Sequence, residues 1–325
     1  MKATDCLKRA AMAAVLCTAA AQVGAQAWPS QPLRIVVPFA AGSVADQVAR
    51  KTAEQMTSLG QPVVIDNRPG ANGIIGTDLA AKAKPDGHTV LMAPVAVLAI
   101  NPAVYGNLPY QPQRDFTPVT LAARGYPLLL VPQSSPVRTL AELIAHAKAR
   151  PGKLSYGSPG IGSPEHLAME EFERRTGSFA VHIAYKNAGD AMVDLIAGRL
   201  DVLIAYSPVA VPQVQSGKVR ALAVVGGNQR KPVLPDVPTA AELGMTWFDA
   251  AGWNAYVVPS RTPPEVVARL NRELTAALRS PAFRDWLAPF GSEAMPSTPA
   301  ETASYIATET ARYAKIVQAS GVKAE

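Results

Sequence analysis

From residue 33 onward, short apolar runs alternate with longer segments in which apolar residues recur every three to four positions. The runs at 33–37, 62–66 and 89–92 have the length and the β-branched content of buried strands. Between them, 45–59 and 74–84 have the apolar spacing of amphipathic helices. Strands separated by helical segments are typical of βαβ units and of a mostly parallel sheet.

A second series with the same alternation begins near residue 127. Its predicted strands are 127–131, 153–157, 179–184, 201–205 and 219–225, with helices at 139–150, 165–176 and 188–198. The apolar run 253–258 predicts a strand that returns across the molecule, followed by helices at 265–278 and 299–318. We therefore expect an α/β protein with two lobes and a ligand cleft between them. The expected divisions are 28–124 for the first part of lobe one, 125–225 for lobe two and 226–325 for the return segment and helices that complete lobe one.

The first 27 residues have the pattern of an export signal. A basic start at 2–9 precedes an apolar run at 10–21, and the small residues at 25–27 offer a cleavage site before Trp28. The apolar run is too short for a lasting transmembrane helix. We predict a cleaved signal peptide and a periplasmic location; an uncleaved N-terminal helix is the alternative.

Charge and cysteine usage narrow the function classes. The signal carries three basic residues and one acidic residue, so its removal lowers the net charge from +6 to +4. Basic residues are scattered along the chain, which argues against a nucleic-acid partner. Both cysteines, Cys6 and Cys17, fall within the signal, so the mature chain needs no disulfide chemistry.

Motifs that would carry catalysis or hold a cofactor are missing. The glycine-rich segment 70–76 matches neither the dinucleotide fingerprint nor the P-loop. The four histidines are far apart and lack the His-Glu-x-x-His spacing of a zinc site, and 157–160 is not a nucleophile elbow. We predict no cofactor, no metal and no catalytic residue. A secreted hydrolase or transferase stays open as an alternative, because a triad can be judged only by geometry.

Four loops fall where a strand is expected to give way to a helix: 38–46, 68–76, 158–163 and 185–190. Each has Gly, Ser or Asn at its turn. Such loops present backbone N–H groups at a helix N-terminus, which suits an anion such as a carboxylate. The same residues also make ordinary turns and caps, but four such loops at corresponding strand ends would converge on one cleft.

Short motifs spread over the whole mature chain form an ordered set. They lie at 28–39 (WPSQPLRIVVPF), 64–71 (VIDNRPGA), 84–91 (KPDGHTVL), 100–102 (INP), 151–158 (PGKLSYGS), 162–163 (GS), 166–168 (HLA) and 235–239 (PDVPT). Together they resemble the tripartite tricarboxylate transporter solute-binding receptors, also called Bug receptors. The resemblance implies a two-lobed periplasmic-binding-protein fold of type II with a hinge. It also implies capture of a small organic carboxylate or amino acid, delivered to membrane permease subunits or presented to a periplasmic sensor domain.

The resemblance further implies that backbone N–H groups and hydroxyls of these loops hold the ligand. The expected ligand-binding positions, together with neighbouring polar residues of the same loops, are Phe39, Ala40, Gly42, Ser43, Asp46, Gly73, Ser158, Gly162, Ser163, His166, Tyr185, Lys186, Asp190 and Tyr206.

Three positions depart from the family pattern. Ser43 replaces a glycine, Pro94 lies in an apolar segment after the third strand, and Asp190 stands where proline is usual. An acidic residue near the site repels a second carboxylate or accepts an ammonium group. We therefore expect a monocarboxylate with an apolar or nitrogen-bearing tail rather than a citrate-like ligand.

Overall fold

The computed structural model describes residues 28–323, so the predicted signal at 1–27 lies outside the described residues. Within that range the strands form two separate sheets. The first sheet has six strands in the order β11-β4-β10-β3-β1-β2. Its strands are β1 (Leu33–Val37), β2 (Val63–Asn67), β3 (Thr89–Pro94), β4 (Phe116–Gly125), β10 (Gly252–Pro259) and β11 (Glu293–Ala294).

The second sheet has five strands in the order β7-β6-β8-β5-β9. Its strands are β5 (Leu128–Pro132), β6 (Leu154–Ser158), β7 (Ala180–Ala184), β8 (Val202–Ala205) and β9 (Val219–Val224). Both sheets are mixed, which corrects the expectation of a mostly parallel sheet. β1 pairs in parallel with β2 and β3, and β6 with β7 and β8, but β5, β10 and β11 pair only in antiparallel fashion.

Helices cover the faces of both sheets. They are α1 (Val44–Gln55), α2 (Ile74–Ala81), α3 (Asn101–Val104), α4 (Pro112–Asp115), α5 (Leu140–Ala149), α6 (Pro164–Thr176), α7 (Ala188–Ile196), α8 (Ser207–Gln215), α9 (Pro264–Arg279), α10 (Pro281–Leu287) and α11 (Pro299–Ser320). Apolar residues at helical spacing turn one face of most of these helices toward a sheet, and a serine or threonine cap marks the first turn of several. At α11, Thr298 and Glu301 form a capping box.

The chain crosses between the two sheets along paired segments. It leaves the first sheet at the end of β4 and returns at the start of β10, and Gly125 pairs with Gly252 at this point. The chain leaves the first sheet along β4 and returns along β10, so these two neighbouring strands run antiparallel. We call the pair formed by residues 125–127 and 249–252 the crossing.

The two lobes, each a sheet with its helices, touch beyond the crossing. Leu167 of α6, in the second lobe, packs in an apolar cluster with Trp253 and Tyr313 of the first lobe. A Cβ atom placed on Gly162 would lie 3.1 Å from the side chain of Val104. The loops at the carboxyl ends of β1 and β6 are thus carried on lobes that already face one another.

Candidate functional site

The loop between β1 and α1 is a tight turn that ends in a helix cap. The N–H of Ser43 donates to the Ala40 carbonyl at 3.1 Å, and Gly42 adopts a φ of 83°. The Ser43 hydroxyl accepts from the N–H of Asp46 at 3.3 Å. The Asp46 carboxylate reaches back and accepts from the N–H of Gly42 at 2.8 Å. Four residues of the loop are thereby fixed by their own contacts.

The loop between β6 and α6 repeats this arrangement in the second lobe. The N–H of Ser163 donates to the Gly160 carbonyl at 3.2 Å, and Gly162 has a φ of 76°. The Ser163 hydroxyl accepts from the N–H of His166 at 3.2 Å. Nδ1 of His166 then accepts from the N–H of Gly162 at 3.1 Å. His166 therefore does in this loop what Asp46 does in the first.

Asp46 is buried, and its carboxylate accepts hydrogen bonds from three protein groups. Besides the N–H of Gly42, it accepts from Asn67 at 2.9 Å and from Arg50 at 3.0 Å. Burial opposes ionisation, but the hydrogen bonds from Arg50, Gly42 and Asn67 outweigh it and lower the pKa of Asp46. We therefore assign Asp46 to positioning the loop rather than to contacting a ligand with its side chain.

The loop after β2 lies beside the first loop. Gly73 caps α2 with a φ of 84°, and a Cβ there would meet Val97 at 2.7 Å and the Phe39 ring at 3.2 Å. Asn72 and Asn101 exchange two hydrogen bonds that fix this loop on the segment after β3. The glycine thus allows Phe39 to lie against the start of α2.

Stacked aromatic side chains and one carboxylate form a cluster next to the β6–α6 loop. The rings of His166 and His182 stack with centroids 4.0 Å apart, and His182 stacks on Tyr156 at 4.9 Å. Glu170 accepts from the Tyr156 hydroxyl at 2.9 Å and lies 3.4 Å from Nε2 of His166. We call these four residues and Ser158 the histidine cluster.

Ser158 joins the histidine cluster to the loop backbone. Its hydroxyl oxygen lies 2.7 Å from Nε2 of His182 and accepts from the N–H of Gly160 at 3.1 Å. Burial, with a smaller contribution from His166, lowers the pKa of His182 to about 4. His182 is therefore neutral at neutral pH. Because Nδ1 of His166 accepts from Gly162, its Nε2 carries the hydrogen that faces Glu170.

The fourth predicted loop lies at the exposed end of β7. Asn187 caps α7 by accepting from the N–H of Asp190 at 2.9 Å, and its amide donates to the Asp190 carboxylate at 2.9 Å. The Tyr185 hydroxyl donates to Asp194 at 2.9 Å, and Lys186 is exposed. Asp190 is therefore exposed and engaged with the Asn187 cap, while the loop itself lies beside the second loop, because the N–H of Tyr185 donates to the Ser158 carbonyl at 2.9 Å.

Tyr206 follows β8 and packs on the crossing. Its hydroxyl donates to the Ala250 carbonyl at 3.0 Å, and a Cβ on Gly252 would lie 2.4 Å from that hydroxyl.

Pro94 ends β3, and the next residues pass directly into a buried π-helical segment, Ala96–Ile100. No polar side chain enters the site from that segment.

Glu165 is a residue of this site that sequence reasoning missed. It lies in the first turn of α6, is only 4% exposed, and its Oε2 has no hydrogen-bond partner. Burial raises its pKa to about 7, and the Ser163 hydroxyl offsets this only in part. The signal was available: Glu165 shares the stripe of Ala168, Met169 and Phe172, which spacing assigns to the buried face.

Two features are absent from residues 28–323: a cluster of side chains placed to hold a metal ion and a helix that could span a membrane. No group of three or more histidine, cysteine or acidic side chains in this range is placed to hold a metal ion. None of the helices in the same range is both long enough and apolar enough to cross a bilayer.

Sequence comparison identifies similar proteins along nearly the whole chain. The family described as "Tripartite tricarboxylate transporter family receptor" matches residues 45–322. Protein BugT of Bordetella pertussis is 39% identical over 307 residues, which are 94% of each chain. A UPF0065 protein from the tcbD-tcbE intergenic region of Pseudomonas sp. strain P51 is 39% identical over 293 residues, 90% of this chain and 87% of that one.

Solved structures agree with this picture. R. palustris Rpa4515 with adipate has a TM-score of 0.84 and 36% identity, covering 90% of this chain and 98% of its own. The periplasmic binding protein BugD has a TM-score of 0.82 and 32% identity, covering 92% and 100%. MatC from Rhodopseudomonas palustris with bound malate has a TM-score of 0.80 and 31% identity, covering 89% and 100%. The expected two-lobed α/β fold is confirmed.

Proposed function

Because this chain belongs to the tripartite tricarboxylate transporter receptor family, we propose that it is a solute-binding receptor of the periplasm. It captures a small carboxylate or amino acid in the cleft between its lobes and delivers it to membrane permease subunits. Residues 1–27 are a signal peptide removed on export. One lobe comprises residues 28–124 and 252–323, and the other comprises 125–251. The segment from 226 to the crossing was expected to complete the first lobe, but Leu234, Ala240 and Phe248 pack in the apolar clusters of the second sheet.

The paired loops carry this proposal. The β1–α1 and β6–α6 loops share a glycine with positive φ, a serine cap and a side chain that fixes the glycine N–H. Each loop opens a helix of twelve or thirteen residues, whose N-terminal dipole favours an anion. Two such ends on opposite lobes suit one carboxylate-bearing ligand.

Similar proteins support the ligand class. The structures of Rpa4515 with adipate and MatC with malate are complexes with small organic acids. Both proteins share the two-lobed fold over about nine-tenths of this chain. Closing two lobes over such a ligand is a hinge motion and needs no covalent chemistry.

A thermal-shift screen of residues 28–325 tests the proposal. The panel holds mono-, di- and tricarboxylates, amino acids and aromatic acids. A ligand that binds only the folded state adds roughly 2.7 kcal/mol of stability at a hundred times its Kd. We expect at least one carboxylate to raise Tm. No shift with any member of the panel would contradict the proposal.

Mass spectrometry after overnight incubation separates a receptor from an enzyme. A receptor returns every stabilising compound unchanged, whereas a hydrolase or transferase yields a product. Co-purification with permease subunits, compared with capture of a periplasmic sensor domain, then distinguishes the two partners. N-terminal sequencing of the exported protein tests cleavage before Trp28.

A further inference from the structure

We propose, on the basis of the proposed function, that Glu165 selects the ligand. The cleft takes a carboxylate whose far end carries an N–H donor, an ammonium or amide group, and that donor binds the Glu165 carboxylate. The loop N–H groups hold the ligand's own carboxylate.

The first support is the unused oxygen of Glu165. Buried polar atoms in folded proteins nearly always have a partner, and one left without a partner costs free energy. In residues 28–323 two buried carboxylate oxygens have no hydrogen-bond partner, one on Glu165 and one on Asp78. Asp78 is already paired with Lys82 at 2.7 Å through its other oxygen, near the surface of α2. Glu165 has no cationic partner among the salt bridges of these residues.

The second support is where Glu165 lies. It is two residues after the Ser163 cap, in the first turn of α6, and so directly follows the β6–α6 loop. Burial raises the pKa of Tyr206, and the charge of Glu165 adds to that rise. Tyr206 stands at the carboxyl end of β8 and contacts the crossing through the Ala250 carbonyl. Glu165 therefore adjoins the loop that we propose holds the ligand, on the side of the molecule where Tyr206 meets the crossing.

The third support is that the other acidic groups near the cleft are already engaged. Asp46 binds Gly42, Asn67 and Arg50. Glu170 binds Tyr156 in the histidine cluster, and Asp249 pairs with Arg124 at 3.3 Å.

An N–H donor suits such an oxygen better than a second carboxylate does. An ammonium or amide hydrogen would satisfy Oε2 and offset the cost of burying the charge. At pH 8, where Glu165 with its pKa of about 7 is mostly ionised, a ligand carboxylate at the same place would face the Glu165 carboxylate, and like charges in a buried site repel. The selection therefore comes from repulsion as well as attraction.

Calorimetric titration of the mature chain with matched acids at pH 8, where Glu165 is mostly ionised, tests the inference. One series is butyrate, γ-aminobutyrate, succinamate and succinate; the longer series is caproate, ε-aminocaproate and adipate. We expect the acids that carry N–H to bind at least about tenfold more tightly than the dicarboxylate of the same length. In E165Q we expect that preference to fall below about threefold.

The matched control is E273Q. Glu273 is also buried, but it binds Ser58 and Arg269 where α9 packs on α1, away from the cleft. This variant should leave the preference unchanged, which separates ligand selection from a general effect of removing a buried charge.

Three results would overturn the inference. One is a wild-type chain that binds dicarboxylates as tightly as the acids that carry N–H; this comparison needs no variant to fold. Another is an E165Q chain that keeps the preference. The last is a wild-type chain that binds other carboxylates but none of the N–H-bearing acids. Each leaves the receptor proposal intact, whereas binding of no carboxylate at all contradicts the receptor itself.

Discussion

Asp46 and His166 hold the same place in their two loops with different chemistry. Each accepts from the N–H of a glycine four residues earlier. Asp46→Ala would leave the N–H of Gly42, the amide of Asn67 and the guanidinium of Arg50 without this acceptor. We expect a loss of about 1–3 kcal/mol in the free energy of unfolding and weaker ligand binding, measured by urea titration and calorimetry. Asp46→Asn keeps one acceptor oxygen, so it should lose less of both; an unchanged affinity in Asp46→Ala would contradict a positioning role.

The pKa of His182 predicts how stability depends on pH. The folded chain protonates His182 only near pH 4, whereas the ordinary value is 6.5. As the pH falls from 6.5 to 4 the unfolded chain binds the extra proton, so the folded state loses stability, by about 2–3 kcal/mol from this group. Urea titrations across this range should show that loss, and His182→Gln should reduce it. His146→Gln, on α5, is the control; an equal effect of both variants would contradict the assignment to the histidine cluster.

At the scale of elements, apolar periodicity predicted the helices that begin at strong caps and the strands that lie between turns. β1 and the start of α2 match the expected positions, and α6 begins one residue earlier than expected. The sequence did not indicate β4, the longest strand, because Pro118 and polar residues interrupt its alternation. α8 was missed because Pro212 lies inside it.

The candidate site was predictable only in part. The loops between strands and helices are local features, so glycine and serine at 42–43 and 162–163 marked them. The histidine cluster joins residues on different elements, and no local pattern brings His166 and His182 together. Asp190 and Glu165 are both acids in the first turn of a helix. Spacing places Glu165 on the buried face of α6, but only the structure shows that its Oε2 has no partner and that Asp190 is exposed.

Gly162 tests whether the β6–α6 loop is an element of the binding site. Its φ of 76° disfavours a side chain, and a Cβ would also crowd Val104 at 3.1 Å. Gly177 ends the same helix with a φ of 65° but has open space around it. Gly162→Ala and Gly177→Ala should each cost about 1 kcal/mol of stability, measured by urea titration. Only Gly162→Ala should weaken ligand binding in calorimetry, and equal losses of affinity would contradict the assignment.

At the scale of the whole molecule, the proposed function requires that the lobes move about the crossing. Gly252 pairs with Gly125 there, and the Tyr206 ring packs directly against it. A Cβ at residue 252 would lie 2.4 Å from the Tyr206 hydroxyl and 2.7 Å from its ring. Because a tyrosine ring has few alternative positions in a packed site, the ring must move away and lose its hydrogen bond to Ala250. Gly252→Ala should therefore change the angle between the lobes more than it changes either lobe.

Small-angle scattering follows that angle through the radius of gyration. For the wild-type chain we expect the radius of gyration to fall when a saturating ligand closes the lobes. In Gly252→Ala we expect a smaller change and a weaker Kd, with the circular dichroism of both sheets retained. Gly106→Ala adds the same methyl group where nothing lies within 4 Å, so it should behave as wild type. If Gly252→Ala closes fully, the contact between Tyr206 and the crossing does not control the hinge, and closure must depend on the loops alone.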